Sequence, residues 1–342
     1  MKNAKPLVLI LCGGQSLRLW PLSKYKSKNF FDVFGFSPLE LTIKRFLKIT
    51  PASNIFLVAN QKEKKELNRL KGINKNNIIL EPQSKNTAAA VLLSVLKLKR
   101  YHDKNLIIAP VDHLIKNEKE FYKALANAQA EANKGLICTL GIKPSKPTPN
   151  FGYIQIKQKR IGKAHLVKNF IEKPKPHLAK KLISKGNCFY NSGIFISKVE
   201  TLMQEYKKYY SKYNYFESNV KKGRIAAAYK RIENTPFDKA IMEKTDRAAL
   251  VKAGFYWKDF GNWQAIYEVS AKDKAGNAIK GKSFIYGGGG NFLFIDQPGK
   301  KVLVLGLNDC IFIDTKDYSL LASRKQLDDL KTALAKFDKT KK

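Results

Sequence analysis

Acidic residues are scarce in this chain. Against 64 lysines and arginines stand only 28 aspartates and glutamates, a formal net charge of +36. Such a surplus attracts anions, whether nucleotides, sugar phosphates, nucleic acid or acidic lipid. The lysines are nevertheless spread along the whole sequence, as on a solvated surface, and only the terminal "KFDKTKK" reads as a short basic tail. No RNA-recognition aromatic motif, zinc finger or basic zipper is present, so no specific nucleic-acid partner is expected. Non-specific RNA affinity that falls steeply with salt is the most that the charge implies. Cysteine is sparse too. Cys12, Cys138, Cys188 and Cys310 lie far apart without a CxxC pair, which argues against a zinc site or a disulfide framework and for reduced thiols in a cytoplasmic protein. His102, His113, His165 and His177 show no HxxxH spacing. No apolar stretch approaches the roughly 20 residues of a membrane span. The leading run Leu7 to Cys12 is short for a signal-peptide core, and "GGQSLRLW" is a poor cleavage context. A cytoplasmic protein with no membrane partner is expected.

What is present is globular: 342 residues, 44% hydrophobic, enough for one large domain with a small companion. Short apolar runs alternate with helical patterns. "PLVLILC", "NIFLVAN", "NIIL", "NLIIAPVD" and "LICTLGI" read as buried strands. Between them "SPLELTIKRFLKIT", "KEKKELNRLK", "NTAAAVLLSVLKLKRY" and "NEKEFYKALANAQAEANKG" read as helices, the last with Asn117 as cap, Glu120 three residues on, and Gly135 as stop. This rhythm predicts an α/β fold with a doubly wound, mostly parallel sheet. Beyond Gly152 strands and helices mix, with "PFDKAIMEK" among the helical segments. The stretch 271–342 predicts a small β-rich unit ending in a helix, after a larger domain over 1–270, with glycines 287–290 as a hairpin loop.

Five stretches carry chemistry. "LILCGGQSLRLWPLSKYKSK" is a strand, a glycine turn and then cations, but it is neither a Walker P-loop nor a GxGxxG fingerprint. Backbone amides at such a turn can face an anion, Arg18 offers a planar fork and Lys28 a point charge. In "PVDH", Asp112 follows an apolar strand, where open α/β sheets place their binding crevice, and suits Mg²⁺. An Asp there serves as readily as a cap. "FIEKP" sets an acid beside a base at a strand end. Their side chains face one site only if the strand ends or twists there. "WKDFGNW" supplies a second carboxylate, Asp259, and otherwise reads as an aromatic core segment. In "EPQSKNTAAAV", Asn86 or Thr87 can cap a helix whose small alanines would let a base or phosphate lie against its N-terminus.

Taken in order, "GGQSLRLWPLS", "SKNFF", "EPQSKNTAA", "PVDH", "NFGYI", "FIEKP", "YNSGIF" and "WKDFGNW" resemble, over nearly the whole chain, the sugar-phosphate nucleotidylyltransferases of the mannose-1-phosphate guanylyltransferase type. The resemblance implies a Rossmann-like nucleotide-diphospho-sugar transferase fold, with the C-terminal unit a partial left-handed β-helix that can pair subunits into a homodimer. It implies GMP transfer from GTP to mannose 1-phosphate, giving GDP-mannose and pyrophosphate with Mg²⁺ as cofactor. Gly13, Gly14 and Ser16 would cradle the triphosphate, with Leu11, Leu17 and Pro110 lining the nucleotide. Arg18 would hold the departing pyrophosphate and Lys28 the α-phosphate. Asp112 and Asp259 would bind the metal, and Glu81, Asn86 and Thr87 would lie near the guanine. Gly152, Glu172 and Asn191 would bind mannose hydroxyls, and Lys173 the sugar's phosphate. The chain departs from the family pattern at Ser16 (glycine), Ser27 (proline), Asn29 (glutamine), Lys85 (arginine) and Tyr190 (tryptophan). The length implies the guanylyltransferase part without the isomerase barrel of bifunctional relatives. Another base or sugar, and a catalytically silent nucleotide-binding relative, remain open alternatives.

Overall fold

The computed structural model describes residues 5–14, 17–32 and 37–337. Ser16 and the last five residues of the basic tail therefore lie outside the described residues. The rest forms two compact units. Of the described residues, one draws on 5–14, 42–111 and 115–257, the other on 17–32, 37–41, 112–114 and 258–337.

The first unit is built on a nine-stranded sheet. Its order is Ile78–Glu81, Ile55–Asn60, Leu7–Leu11, Asn105–Pro110, Cys188–Lys198, Ile137–Ile142, Ala248–Ala253, Ala164–Ile171 and Tyr153–Ile161. The first four strands are mutually parallel, as continuous apolar runs such as "LVLIL" require when both faces are covered. Cys188–Lys198 then runs antiparallel to both neighbours. Ile137–Ile142 and Ala248–Ala253 are parallel to each other, and the last pairs are antiparallel. Helix Asn86–Lys97 buries every residue from Ala88 to Val95, because alanine and leucine let it sit close against the sheet. Helix Glu118–Ala132 starts as its sequence predicts. The Asn117 side chain accepts from the Glu120 amide at 3.5 Å, with Asn117 itself left-handed at φ 64°. "PFDKAIMEK" is helical as expected, but the helix is a single π turn, Asp238–Met242.

The second unit joins the loop after Gly14 to the C-terminal strands. Its parallel ladders stack Ala278–Lys280 on Phe292–Ile295 on Cys310–Asp314, and Lys282–Tyr286 on Lys301–Leu305, a β-helix-like arrangement. Glycines 287–290 do not close a hairpin. The strands they connect pair with other partners, so the glycines turn a corner of the coil, with φ positive at Gly287, Gly288 and Gly290. The aromatic reading of "WKDFGNW" is half right: Phe260 and Trp263 pack in one core with Leu19, Leu22, Phe31, Phe292, Ile311 and Ile313. The loop that carries Arg18 and Lys28 is thus anchored on the β-rich unit's own core.

Candidate active site

In the second unit three motifs distant in sequence meet. The Trp263 indole N–H donates to the Trp20 carbonyl at 2.8 Å, tying "WKDFGNW" to "RLWP". The Phe260 amide donates to the Asp112 carbonyl at 2.8 Å, tying "WKDFGNW" to "PVDH". Lys28 sits on a short 3-10 turn, Lys28–Phe30, which Ser27 caps by accepting from the Asn29 amide. The residue that replaces the family proline thus has a local role. The Lys28 ammonium donates to the Asp112 carboxylate. A small cavity beside them is lined by Leu19, Phe31, Pro38, Phe260 and Ile266.

The acids and cations act on one another electrostatically. Burial alone would raise the Asp112 carboxyl, but Lys28 and then His113 outweigh it and hold the group below its ordinary range. Asp259 is pushed up to about 7, by burial first and by the Asp112 charge second, against the pull of Lys28, the Gly261 amide and Arg18. Leu17, next to Arg18, is exposed. Lys28 and Asp112 are in contact, and Asp259 feels the charges of both and of Arg18. Among the described residues no group of three or more His, Cys, Asp or Glu side chains forms a closed metal site. The two carboxylates nevertheless suit a hard divalent cation, because Asp259 Oδ1 is buried without a hydrogen-bond partner among the described residues.

The first unit holds the remaining sequence-identified residues in two groups. Leu11 and Pro110 end adjacent parallel strands and are register partners. Gly14 has φ 115°, which only glycine adopts freely, and a side chain at Gly13 would stand 3.9 Å from Glu81 Oε2. The Glu81 carboxylate accepts from the Tyr229 hydroxyl at 2.9 Å, and burial raises it to about 7 in spite of that bond. The start of the alanine helix is more occupied than its sequence suggests. Asn86, at φ 66°, accepts from the Thr87 amide, the Thr87 hydroxyl accepts from the Phe237 amide, and the Ala88 amide donates to Thr235.

In the second group, strand Ala164–Ile171 ends just before "EKP". Lys173 turns to φ 48°, and its ammonium meets Glu172 Oε1 at 2.8 Å. The acid and base therefore face one place because the strand has ended. Gly152 leaves room for that acid: a Cβ there would stand 2.7 Å from Glu172 Oε2 and 3.4 Å from the Asn191 side chain. Sequence reasoning missed two residues, one in each group. Asp238 accepts from Asn191 Nδ2 at 2.7 Å, and burial, then the Glu172 charge, raise it to about 7. Its signal was an acid inside an apolar helical segment. Tyr229, the partner of Glu81, had no signal in its own surroundings.

The nucleotidyl transferase family pattern matches residues 7–276. The chain is 33% identical to the alginate biosynthesis protein AlgA of Pseudomonas aeruginosa, an alignment covering 96% of this chain and 72% of that one. It is 32% identical to a mannose-1-phosphate guanylyltransferase of Klebsiella pneumoniae, covering 96% and 73%. The chain belongs to the nucleotidyl transferase family, among the mannose-1-phosphate guanylyltransferases. Its fold superposes on the crystal structure of a Thermus thermophilus protein described as mannose-1-phosphate geranyltransferase, with a TM-score of 0.87, 25% identity, 98% of this chain and 100% of that one. This kinship makes the chain an enzyme of nucleotidyl transfer. Among the described residues no helix is long and apolar enough to cross a membrane.

Proposed function

We propose that the chain transfers GMP from GTP to mannose 1-phosphate, forming GDP-mannose and pyrophosphate. The observation that carries this reading is the group of Lys28, Asp112, Asp259 and Arg18 in a chain 32% identical to a mannose-1-phosphate guanylyltransferase. In-line attack by the sugar phosphate on the α-phosphorus is opposed mainly by charge repulsion and misalignment, so cations and positioning carry the catalysis. Lys28 is assigned to the α-phosphate and Arg18 to the departing pyrophosphate. Lys28 then exchanges its Asp112 partner for phosphate oxygens, a shift its flexible stem permits. Asp112 and Asp259 are assigned to Mg²⁺, which when bound supplies positive charge against the phosphate oxygens. Gly13, Gly14 and Ser16 are assigned to the triphosphate, Glu81, Asn86 and Thr87 to guanine. Gly152, Glu172 and Asn191 are assigned to the sugar hydroxyls, and Lys173 to the sugar's phosphate. No covalent enzyme intermediate is required.

The same reading makes the protein a homodimer through its β-rich unit. Phe284, Tyr286, Leu303 and Leu305 are 64%, 66%, 69% and 68% exposed, and they pair as Phe284 with Leu303 and Tyr286 with Leu305, which makes one apolar patch. The test of the activity is GDP-mannose formation from GTP and mannose 1-phosphate, repeated on Asp112→Ala. The wild type should turn over with a requirement for Mg²⁺, and the variant should lose most turnover and most of that requirement. An Asp112→Ala protein as active as the wild type would contradict the assignment.

A further inference from the structure

The π-helical turn Asp238–Met242 touches residues assigned above to two different substrate groups. Single π turns occur often at functional sites, because the extra residue re-aims side chains. Just before it, the Phe237 amide donates to the Thr87 hydroxyl at 2.8 Å, and the Thr235 carbonyl accepts from the Ala88 amide at 3.2 Å. Within it, Asp238 Oδ1 accepts from Asn191 Nδ2 at 2.7 Å. Just after it, Glu243 Oε1 accepts from the Glu172 amide at 3.1 Å. One short segment therefore touches the residue assigned to guanine and both acid-amide readers assigned to the sugar.

The Asn191 amide shows what Asp238 does. Its oxygen accepts from the Thr139 hydroxyl at 3.1 Å and from the Gly193 amide at 3.0 Å, so both acceptor positions are filled. The Gly193 amide can only donate, so the oxygen must face it. Asp238 takes one of the two Nδ2 hydrogens and aims the other. We propose that Asp238 is a positioning residue for the sugar phosphate: it fixes the orientation of Asn191 while Glu243 fixes the backbone of Glu172, so the turn sets both hydroxyl readers together. This rests on the assignment of Asn191 and Glu172 to the sugar. The raised Asp238 carboxyl fits the role, since the proton it retains near neutrality lessens repulsion from Glu172.

The experiment is steady-state kinetics with both substrates varied, on the wild type, Asp238→Ala, Asp238→Asn, Asn191→Ala and the double alanine variant. Asp238→Ala should raise KM for mannose 1-phosphate by about tenfold or more and leave KM for GTP within about twofold. Asp238→Asn keeps an oxygen acceptor and should recover most of that loss. In the Asn191→Ala background, adding Asp238→Ala should cost less than about twofold, because its route of action is already gone. Should Asp238→Ala not fold, Asp238→Asn decides, and a tenfold rise in its sugar-phosphate KM would overturn the proposal. An active wild type whose Asp238→Ala form keeps its sugar-phosphate KM, raises both KM values equally, or shows additive loss with Asn191→Ala overturns this inference alone. A wild type inert toward sugar 1-phosphates overturns it together with the functional reading.

Discussion

The Lys28 ammonium donates a hydrogen bond to the Asp112 carboxylate across 84 positions of chain, and both side chains are largely shielded. Removing one partner of such a pair leaves a buried charge uncompensated. Lys28→Met should therefore destabilise the protein by about 2–4 kcal/mol in urea unfolding at neutral pH. Adding Asp112→Asn to Lys28→Met should recover at least about half of that loss. Losses that simply add would show that the two side chains do not support each other. Neither variant should retain more than about a hundredth of wild-type transfer.

Asp259 sets stability against function. Its carboxyl titrates near 7 in the folded protein and near 3.8 in the unfolded chain. A raised acid contributes stability below its unfolded value and loses it as pH rises through the folded one. Asp259→Asn should therefore be more stable than the wild type by about 1–3 kcal/mol at pH 8, with the difference narrowing at pH 5 and closing only below about pH 4. The same variant should lose about 100-fold or more in transfer. Melting curves at the two pH values beside one activity assay check both halves, and an Asp259→Asn that is less stable at pH 8 would refute the first.

The assignment of Glu81 to guanine predicts that nucleotide binding is linked to a proton. Guanine presents N–H donors, which an ionised carboxylate accepts, yet burial raises this carboxyl to about 7. GTP affinity should fall as pH drops below about 7, by at most about tenfold per unit, and binding at pH 6.5 should release a proton. Calorimetry in buffers of different ionisation enthalpy measures that release. Glu81→Gln should abolish it and flatten the pH dependence. A wild type that binds without proton release would separate Glu81 from the base.

Gly152→Ala separates packing from recognition. The added Cβ meets the far end of a flexible glutamate side chain, so Glu172 can swing away at little cost to stability. Unfolding free energy should change by less than about 1 kcal/mol. With Glu172 assigned to the sugar hydroxyls, KM for mannose 1-phosphate should nonetheless rise about tenfold. An unchanged KM would remove Glu172 from the sugar's surroundings.

Much of this was legible in the sequence, for identifiable reasons. "LVLIL" and "IFLVAN" could only be doubly covered strands, and Asp112 follows its strand as the crevice rule expects. Strand direction was less legible. Cys188–Lys198 is as apolar as its neighbours, and nothing in an apolar run says that it will run against them. The glycine run 287–290 supports a hairpin turn and a coil corner equally, and only the partners of the flanking strands decide. The motifs implied, through the family they resemble, that Arg18, Lys28, Asp112 and Asp259 act together. They did not show that the loop bearing the first two rests on Phe292 and Ile311, because that contact depends on packing hundreds of residues away. Asp238 stood out as an acid in an apolar segment, but nothing in the sequence said that a π turn would bring it to Asn191.

The most direct test of the account is a panel of GTP, ATP, UTP, CTP and dTTP against mannose, glucose and galactose 1-phosphates, scored by pyrophosphate release and by the nucleotide sugar formed. GTP with mannose 1-phosphate should exceed every other pair by about 100-fold in kcat/KM, since a site built to pair with particular hydroxyls and base edges rejects analogues that leave those groups unmatched. A different preferred pair, or GTP binding without GDP-mannose in the presence of Mg²⁺, would contradict it.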